Sequence, residues 1–571
     1  MIERDPRAEL TMELYRSWHD ARADWDIEAR KDLDFYLGNH FTSDESDELS
    51  SRNQADVPMD RVYPAVEKLK SVLTSRPPVF TAMCREDSDA KVAYLWRTIL
   101  GYCWDLSDGD MHVKSAIQDY ATTGLGYMYV YTDYESDFGR GDVKFTYVNP
   151  FRVYIPPDAR SKLFDDAEGM ILSTILNGEQ LLNLYPQLGD TFDEETGEPI
   201  PGIIHELETH SDEDYPDAAN KNTSQSFTPA EVKDKNLLTD KYQILERFYK
   251  TKVPFYRIVD ARSGEEKVMD EGGFGAFIEK NPGVIERGLI DFEEVVQTRV
   301  GIICSVGGFV LYEQILNTDV YPLVPIANIW TGTPYPKSDI SRVRPMQRLL
   351  NKLWSLALSH AQSSAGLKLI VPMGSAIDGV EQLEKDWANP NAVIEIDTSQ
   401  GEPHYPQPQP LAAEFYRLIQ QCEFYIDFIF GIPEMMHGFP EKAPETVRGT
   451  EKMMSLGSER PKSKLRDIEA SIERLGTVMY NFCKGHYDYK KIFRLAQPNN
   501  DMTEVMANVY DDVSGAVIDI EKDKINLGQH DVRIESGSTL PTNKWAEFIV
   551  YLEAYKIGLV DRTEVLKKNP E

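Results

Sequence analysis

The sequence predicts an α+β fold in which helical and sheet-forming blocks follow one another along the chain. Three observations predict it. Apolar residues recur at helical spacing over several long stretches. Strand-type apolar runs cluster near residues 127–148 and 240–325. A small strand–helix–strand pattern sits between two helices at 367–409. With 571 residues the chain exceeds one hydrophobic core, so several modules are expected.

Taken in order, Leu10, Leu14, Trp18, Ala21 and Trp25 predict one or two amphipathic helices over 8–38. Polar residues 42–56 read as a loop. Val62, Val66, Leu69 and Leu73 mark a helix stopped by Pro77 and Pro78. Val92, Leu95, Trp96, Ile99 and Cys103 mark a third helix. Val113, Ile117 and Tyr120 mark a fourth, closed by Gly124 and Gly126. The period then changes to strand type at Tyr127 to Thr132 and Val143 to Val148, with a turn at Gly139 to Gly141.

Residues 186–240 hold fourteen acidic and three basic residues and read as an exposed, loop-rich insertion. Strand-like runs follow at Tyr242 to Tyr249, Val253 to Val259, Glu294 to Val300, Ile302 to Val306 and Phe309 to Tyr312. Gly307 and Gly308 signal a hairpin, so 240–325 is expected to be an antiparallel sheet module.

Leu349, Leu350, Leu353, Trp354 and Ala357 then stripe a helix, with Pro345 in its first turn or at a kink. Leu367 to Val371, Val380 to Trp387 and Ala392 to Ile396 form the strand–helix–strand unit, ended by Pro/Gln-rich 403–410. A broad stripe from Leu411 to Ile429 predicts a helix stopping at Gly431 and Pro433. Residues 431–449 read as loop. Leu465, Ile468, Ile472, Leu475, Met479 and Phe482 form a heptad-like seam facing either the chain's own core or a neighbouring subunit. Trp545, Ile549, Leu552 and Tyr555 repeat the helical pattern in the tail.

Composition narrows the function. Hydrophobic residues make up 41% of the chain and the net charge is −33, which fits a well-folded acidic protein. No apolar run approaches the ~20 residues of a membrane span, and no secretory signal opens the chain. The five cysteines lack a C-x-x-C pair and read as buried free thiols in a reducing compartment. There is no P-loop, no H-E-x-x-H and no G-x-S-x-G. Asp105, Asp108, Asp110 and His112 come nearest to a metal site but lack the glycine and distal glutamate of a calcium loop, and read as a solvated turn. Asp24 and Asp26, like Asp32 and Asp34, lie two apart on helix and read as surface charge. No catalytic residue, metal or cofactor is expected.

The order of these modules resembles the portal, or head-to-tail connector, family of tailed bacteriophages, nearest to the short-tailed, podovirus-like type. Three stretches carry the resemblance in wording: DYATTGLGY at 119–127 leading to Val148-Asn149-Pro150, FGIPEMMHG at 430–438, and SGSTLPTN at 536–543. The acidic 186–240 insertion has no counterpart in it. The resemblance implies an α/β wing at 1–335, stem helices at 336–366 and 410–430 and a clip at 367–409. It also implies a tunnel loop at 431–449, a long wing helix at 450–490 and a helical crown at 491–571.

It further implies a ring, typically a homododecamer, that lets genomic DNA in and out at one capsid vertex without ATPase activity of its own. Implied partners are double-stranded DNA, the terminase, major capsid and scaffolding proteins and a tail adaptor. No membrane is involved. The protein would reside in the virion, and in the host cytoplasm during assembly. Expected DNA-facing residues are His437, Lys442, Arg448 and Lys452. Arg342, Arg344, Arg348 and Lys352, with Lys337, form a basic face on the first stem helix, suited to phosphate, to an inter-subunit salt bridge or simply to solvent. Glu381, Glu384, Lys385 and Trp387 are the clip residues expected to dock the motor. Another structural virion protein such as an adaptor, or a carboxylate-dependent hydrolase, remains as an alternative at this point.

Overall fold

The computed structural model describes residues 4–52, 54–75, 77–84, 90–192, 199–207, 240–260, 266–280, 290–365, 370–373, 379–387, 394, 396–397, 399, 404, 411–431, 459–487, 491–496, 502–507, 509–510, 517–518, 530–534 and 555. Helix α1 (Pro6–Tyr36) is a single helix started by the Asp5 side chain, which accepts from the Arg7 amide at 2.8 Å, and by Pro6. Helix α2 (Ser43–Ser51) corrects the loop expected over 42–56. Thr42 and Glu45 form a capping box there. The helix buries no residue, so apolar periodicity was silent where the cap was not.

Next come α3 (Val62–Leu73), β1 (Phe80–Cys84), α4 (Ala90–Leu106), α5 (Gly109–Thr122), β2 (Leu125–Asp133) and β3 (Asp142–Val148). Then follow β4 (Val153–Tyr154), β5 (Gly169–Asn177), α6 (Gly178–Leu184) and the short pair β6 (Thr191–Phe192) and β7 (Pro199–Ile200). Beyond them lie β8 (Lys241–Asp260), β9 (Glu266–Asp270), α7 (Glu271–Lys280), β10 (Ile290–Val306), β11 (Phe309–Leu316) and β12 (Leu323–Ala327). The strand runs expected separately at 242–259 and 294–306 are therefore two long continuous strands. The chain continues through α8 (Asp339–Ala365), α9 (Val380–Trp387), α10 (Ala413–Phe430) and α11 (Glu459–His486). The last described strands are β13 (Lys491–Ala496), β14 (Met502–Ala507), β15 (Val509–Tyr510), β16 (Val517–Ile518) and β17 (His530–Ile534).

Two antiparallel sheets organise the body. One has the order β12-β2-β3, the other β11-β10-β8-β5-β4 with β9 added on β8. Met128 and Val130 of β2 belong to a core shared with α3, α4, α5, α8, α10 and α11. Tyr127 and Leu125 belong to a second core with Phe248, Val300 and Ile302 of the larger sheet. Strand β2 is thus covered on both faces, which explains its unbroken apolar run. The DYATTGLGY stretch is the close approach of α5 to β2. Gly124 has φ +93, and a Cβ on Gly126 would lie 2.2 Å from the Ala116 carbonyl oxygen.

The C-terminal region corrects the helical crown as far as residue 534, because its described residues there are strands. Strand β17 pairs antiparallel with β1, Phe80 opposite Ile534 and Ala82 opposite Val532, so residues 530–534 are stitched to the body. His530, Val532 and Ile534 alternate with Asp531 and Arg533, a period-two pattern, but its partner lies hundreds of residues away. Between α8 and α10, Ile370 bridges His404 with both backbone bonds at 2.9 Å. Of the strands expected there, 367–369, 392–393 and 395 lie outside the described residues.

Candidate functional site

The described site candidates lie on the helical hairpin of α8 and α10 and on α9, which falls between them in sequence. The root of the hairpin is held by polar chemistry. The carboxylate of Asp339, in the first turn of α8, accepts from the Asn328 side chain at 2.8 Å and pairs with Lys464 of α11. The same Asn328 amide donates to the Tyr120 carbonyl at 3.0 Å. A buried carboxylate needs such partners, and these tie α5, α8 and α11 together.

Beside it, the Ser338 hydroxyl donates to Asp32 at 2.7 Å, and Arg344 lies 3.0 Å from the other oxygen of Asp32 while also pairing with Glu28. Asp32 is buried, which corrects its reading as surface charge. Burial pushes its carboxyl up to about 6, against the Ser338 hydrogen bond and the Arg344 charge. Glu28 moves the other way, down to about 2, held by Lys31 and Arg344. Asp26 is half-buried beside Arg22, and burial raises its carboxyl despite that guanidinium. Arg22 itself donates to the carbonyls of Pro150, Phe151 and Val153, riveting α1 to the turn after β3. Asp34 is half-buried, and Asp24 alone of the four aspartates is exposed. Helical spacing placed these carboxylates on α1 but did not say which side of α1 the rest of the chain would cover.

Farther along α8, Gln347 donates to the Met59 carbonyl at 2.7 Å and to Asn351 at 2.9 Å. The helix runs through Pro345 without ending. Of the basic face, Arg342, Arg348 and Lys352 are exposed. Arg348 also lies 5.6 Å from the Phe35 ring centre, within cation–π reach. Arg344 differs from them: its charge is engaged inside the chain by Glu28 and Asp32. The i, i+4 row 344, 348, 352 therefore starts in an internal ion pair and emerges onto the surface.

Helix α10 packs one narrow stripe, Ile419, Cys422, Ile426 and Phe430, into the core. It stops at Gly431, whose φ of +73 closes the last turn. Phe415 and Ile429 pack partly against the same core, while much of the outer apolar face is uncovered. Tyr416, Leu418, Phe424, Tyr425 and Phe428 are exposed, Phe428 at 54%, and the Phe424 and Phe428 rings stack 6.2 Å apart. Leu349, Leu356 and Leu358 of α8 are exposed as well. Sequence reasoning saw that the stripe was broad. It did not separate the half that stays in the chain from the half that does not.

On α9, Glu381, Glu384 and Lys385 are exposed around buried Leu383. Trp387 ends this helix, and its side chain lies outside the described residues, as do His437, Lys442, Arg448 and Lys452. The carboxylate cluster before α5 is occupied by structural work. Asp110 accepts from the Trp104 indole at 3.1 Å, and His112 Nδ1 accepts from the Tyr147 amide at 3.2 Å. Burial holds the His112 imidazole below its ordinary value. Among the described residues no group of three or more His, Cys, Asp or Glu could hold a metal ion, and no helix is long and apolar enough to cross a membrane. Cys103, Cys304, Cys422 and Cys483 are buried thiols, and the Cys103 and Cys483 sulfurs lie 3.6 Å apart without a disulfide.

No curated protein shows a significant match to the chain. The profile of the phage P22-like portal protein family matches residues 12–557 and so takes in nearly all of it, including the α8–α10 hairpin and both sheets. On that match the chain belongs to the phage P22-like portal protein family.

Proposed function

We propose that copies of this chain close into a ring whose axial channel carries double-stranded DNA during genome packaging and ejection at one capsid vertex. The observation that carries the ring is the aromatic outer face of α10, which a single chain leaves in water. Contiguous exposed apolar surface of this kind marks a contact surface. A helix whose inner stripe is already buried and whose outer stripe is aromatic suits a head-to-tail contact repeated around an axis. Family membership puts a portal ahead of an adaptor, and the family is structural rather than enzymatic, which weighs against the hydrolase.

The DNA path is proposed to run past residues 431–449 with Lys442 and Arg448, and along the emergent basic row of α8. The net charge of −33 repels a duplex overall, so sparse cations would touch it weakly and without regard to sequence. The unit at 367–409 is proposed to meet the terminase and later the tail adaptor through Glu381, Glu384, Lys385 and Trp387. Electron microscopy of the purified chain tests the ring directly. Rings with an axial hole are expected; particles of a single subunit at every concentration would sink the proposal.

A further inference from the structure

The larger sheet contains an unfinished edge. Strand β8 pairs with β5 from Lys241 to Tyr249, where Gly169 is the first residue of β5. Beyond it β8 and β10 run on together, Lys250 opposite Val300 out to Asp260 opposite Ile290, with β9 on the far side of β8. Strand β11 covers β10 only from Val300 to Val306. Among the described residues, nothing pairs with the outer edge of β10 from Ile290 to Arg299. Alternate residues of that stretch point backbone N–H and C=O groups away from β8, over roughly 30 Å of strand.

Such an edge is usually blunted by proline, lysine, a bulge or a covering element. This one has neither proline nor lysine, and its register against β8 is continuous. Helix α7 covers a face of the ribbon rather than its edge: Phe274 stacks on Tyr256 at 4.4 Å and meets Phe292 at 5.3 Å. Phe292 and Val296 remain 43% and 57% exposed on that same face, with Glu294 between them. Asp291, Glu293 and Glu294 make the stretch acidic, against one cation, Arg299. Asp291 and Glu293 share the opposite face and are both exposed, although Glu293 also pairs with Arg257 across the ladder at 2.6 Å.

We infer that the outer edge of β10, Ile290–Arg299, docks an extended basic segment of a different protein as an added strand. The backbone supplies the affinity and the side chains the choice of partner. A second copy pairing edge to edge would bring the same net-negative stretch, and facing like charges destabilise a strand pair. A strand alternating lysine or arginine with β-branched residues would place its cations on the face of Asp291 and Glu293 and its apolar groups on the face of Phe292 and Val296. This docking does not depend on the ring or on the DNA channel.

The test uses the purified full chain and a peptide alternating lysine with valine. With saturating peptide, hydrogen exchange should slow by about tenfold or more in 290–299 and stay unchanged in α11. Peptide affinity should fall about tenfold or more with Asp291→Lys plus Glu293→Lys, and by less with Asp291→Asn plus Glu293→Gln, which neutralises that face without reversing it. A peptide with proline replacing alternate valines should neither bind nor protect. Equal binding of the proline peptide would mean simple attraction to an acidic chain and would overturn the inference. So would unprotected 290–299 amides with peptide present. Amides already protected in the protein alone would mean that another copy or another part of the chain covers the edge, and would overturn it as well.

Discussion

Helices α11 and α10 are written in the same amphipathic code and end in opposite situations. In α11, Leu465, Ile468, Ile472, Leu475 and Met479 are all buried. Its polar side is pinned too, Arg474 to Asp165 at 2.7 Å and Asp467 to Lys162 at 2.8 Å. The seam that could have faced a neighbour is spent on the chain's own core. In α10, one stripe is buried and the adjoining aromatic one is in water. A narrow stripe can be satisfied within one chain, whereas a broad stripe beside a single layer of neighbours is left half covered. The comparison separates residues that stabilise the subunit from residues that await another surface.

The largest effect on stability is expected in α11. Leu475→Ala removes a side chain with no exposure and should cost about 2–5 kcal/mol in chemical denaturation. A loss within about 0.5 kcal/mol would show that α11 is not the interior element described here.

Next comes the charge at the hairpin root. Asp32 has a folded-state pKa of about 6, above its unfolded value, so its ionised form opposes folding at neutral pH. As pH falls from about 6 toward about 4 the folded state takes up this proton and the penalty is relieved, while Glu28, held at about 2, stays ionised. Relative to Asp32→Asn, the wild type should therefore gain on the order of 2 kcal/mol across that window. Parallel pH profiles for the two proteins would remove the assignment.

Smaller still in stability, and decisive in assembly, is the outer face of α10. Phe424→Ser with Phe428→Ser should change subunit stability by less than about 1 kcal/mol, since both rings are already half in water. It should abolish rings in sizing chromatography and microscopy. Intact rings from this variant would move the subunit contact elsewhere.

The smallest effect per subunit is expected at 431–449. A single exposed cation on a phosphate is weak and screened by salt over ~8–10 Å, and repetition around a ring multiplies it. Lys442→Glu with Arg448→Glu should leave assembly intact and shorten the DNA packaged or retained by mutant proheads, measured in vitro across salt concentrations. Wild-type packaging at every salt would place these residues away from the DNA.

Much of this was legible beforehand because it is local. Periodicity located α1, α3, α4, α5, α8, α10 and α11, and Gly431 marked the end of α10. The module order and three short stretches pointed to the family that the profile then matched. Helix α2 was missed although its capping box was in plain sight, because a helix with nothing buried leaves no apolar rhythm. Strand β5 falls between residues 150 and 186, where no element was expected, and its role depends on β8, which begins more than sixty residues later.

What the sequence by itself determined is therefore the inventory: which segments are helix or strand, how apolar each face is, and which family the chain resembles. What only the tertiary structure decided is the use of that inventory. It buried Asp32 and left Asp24 in water on the same helix, turned Arg344 inward while Arg348 and Lys352 emerge, and joined β17 to β1 across most of the chain. Periodicity is set by the backbone geometry of neighbouring residues. Burial is set by which distant surface arrives against a face, and that free energy belongs to the pair of surfaces rather than to either segment alone.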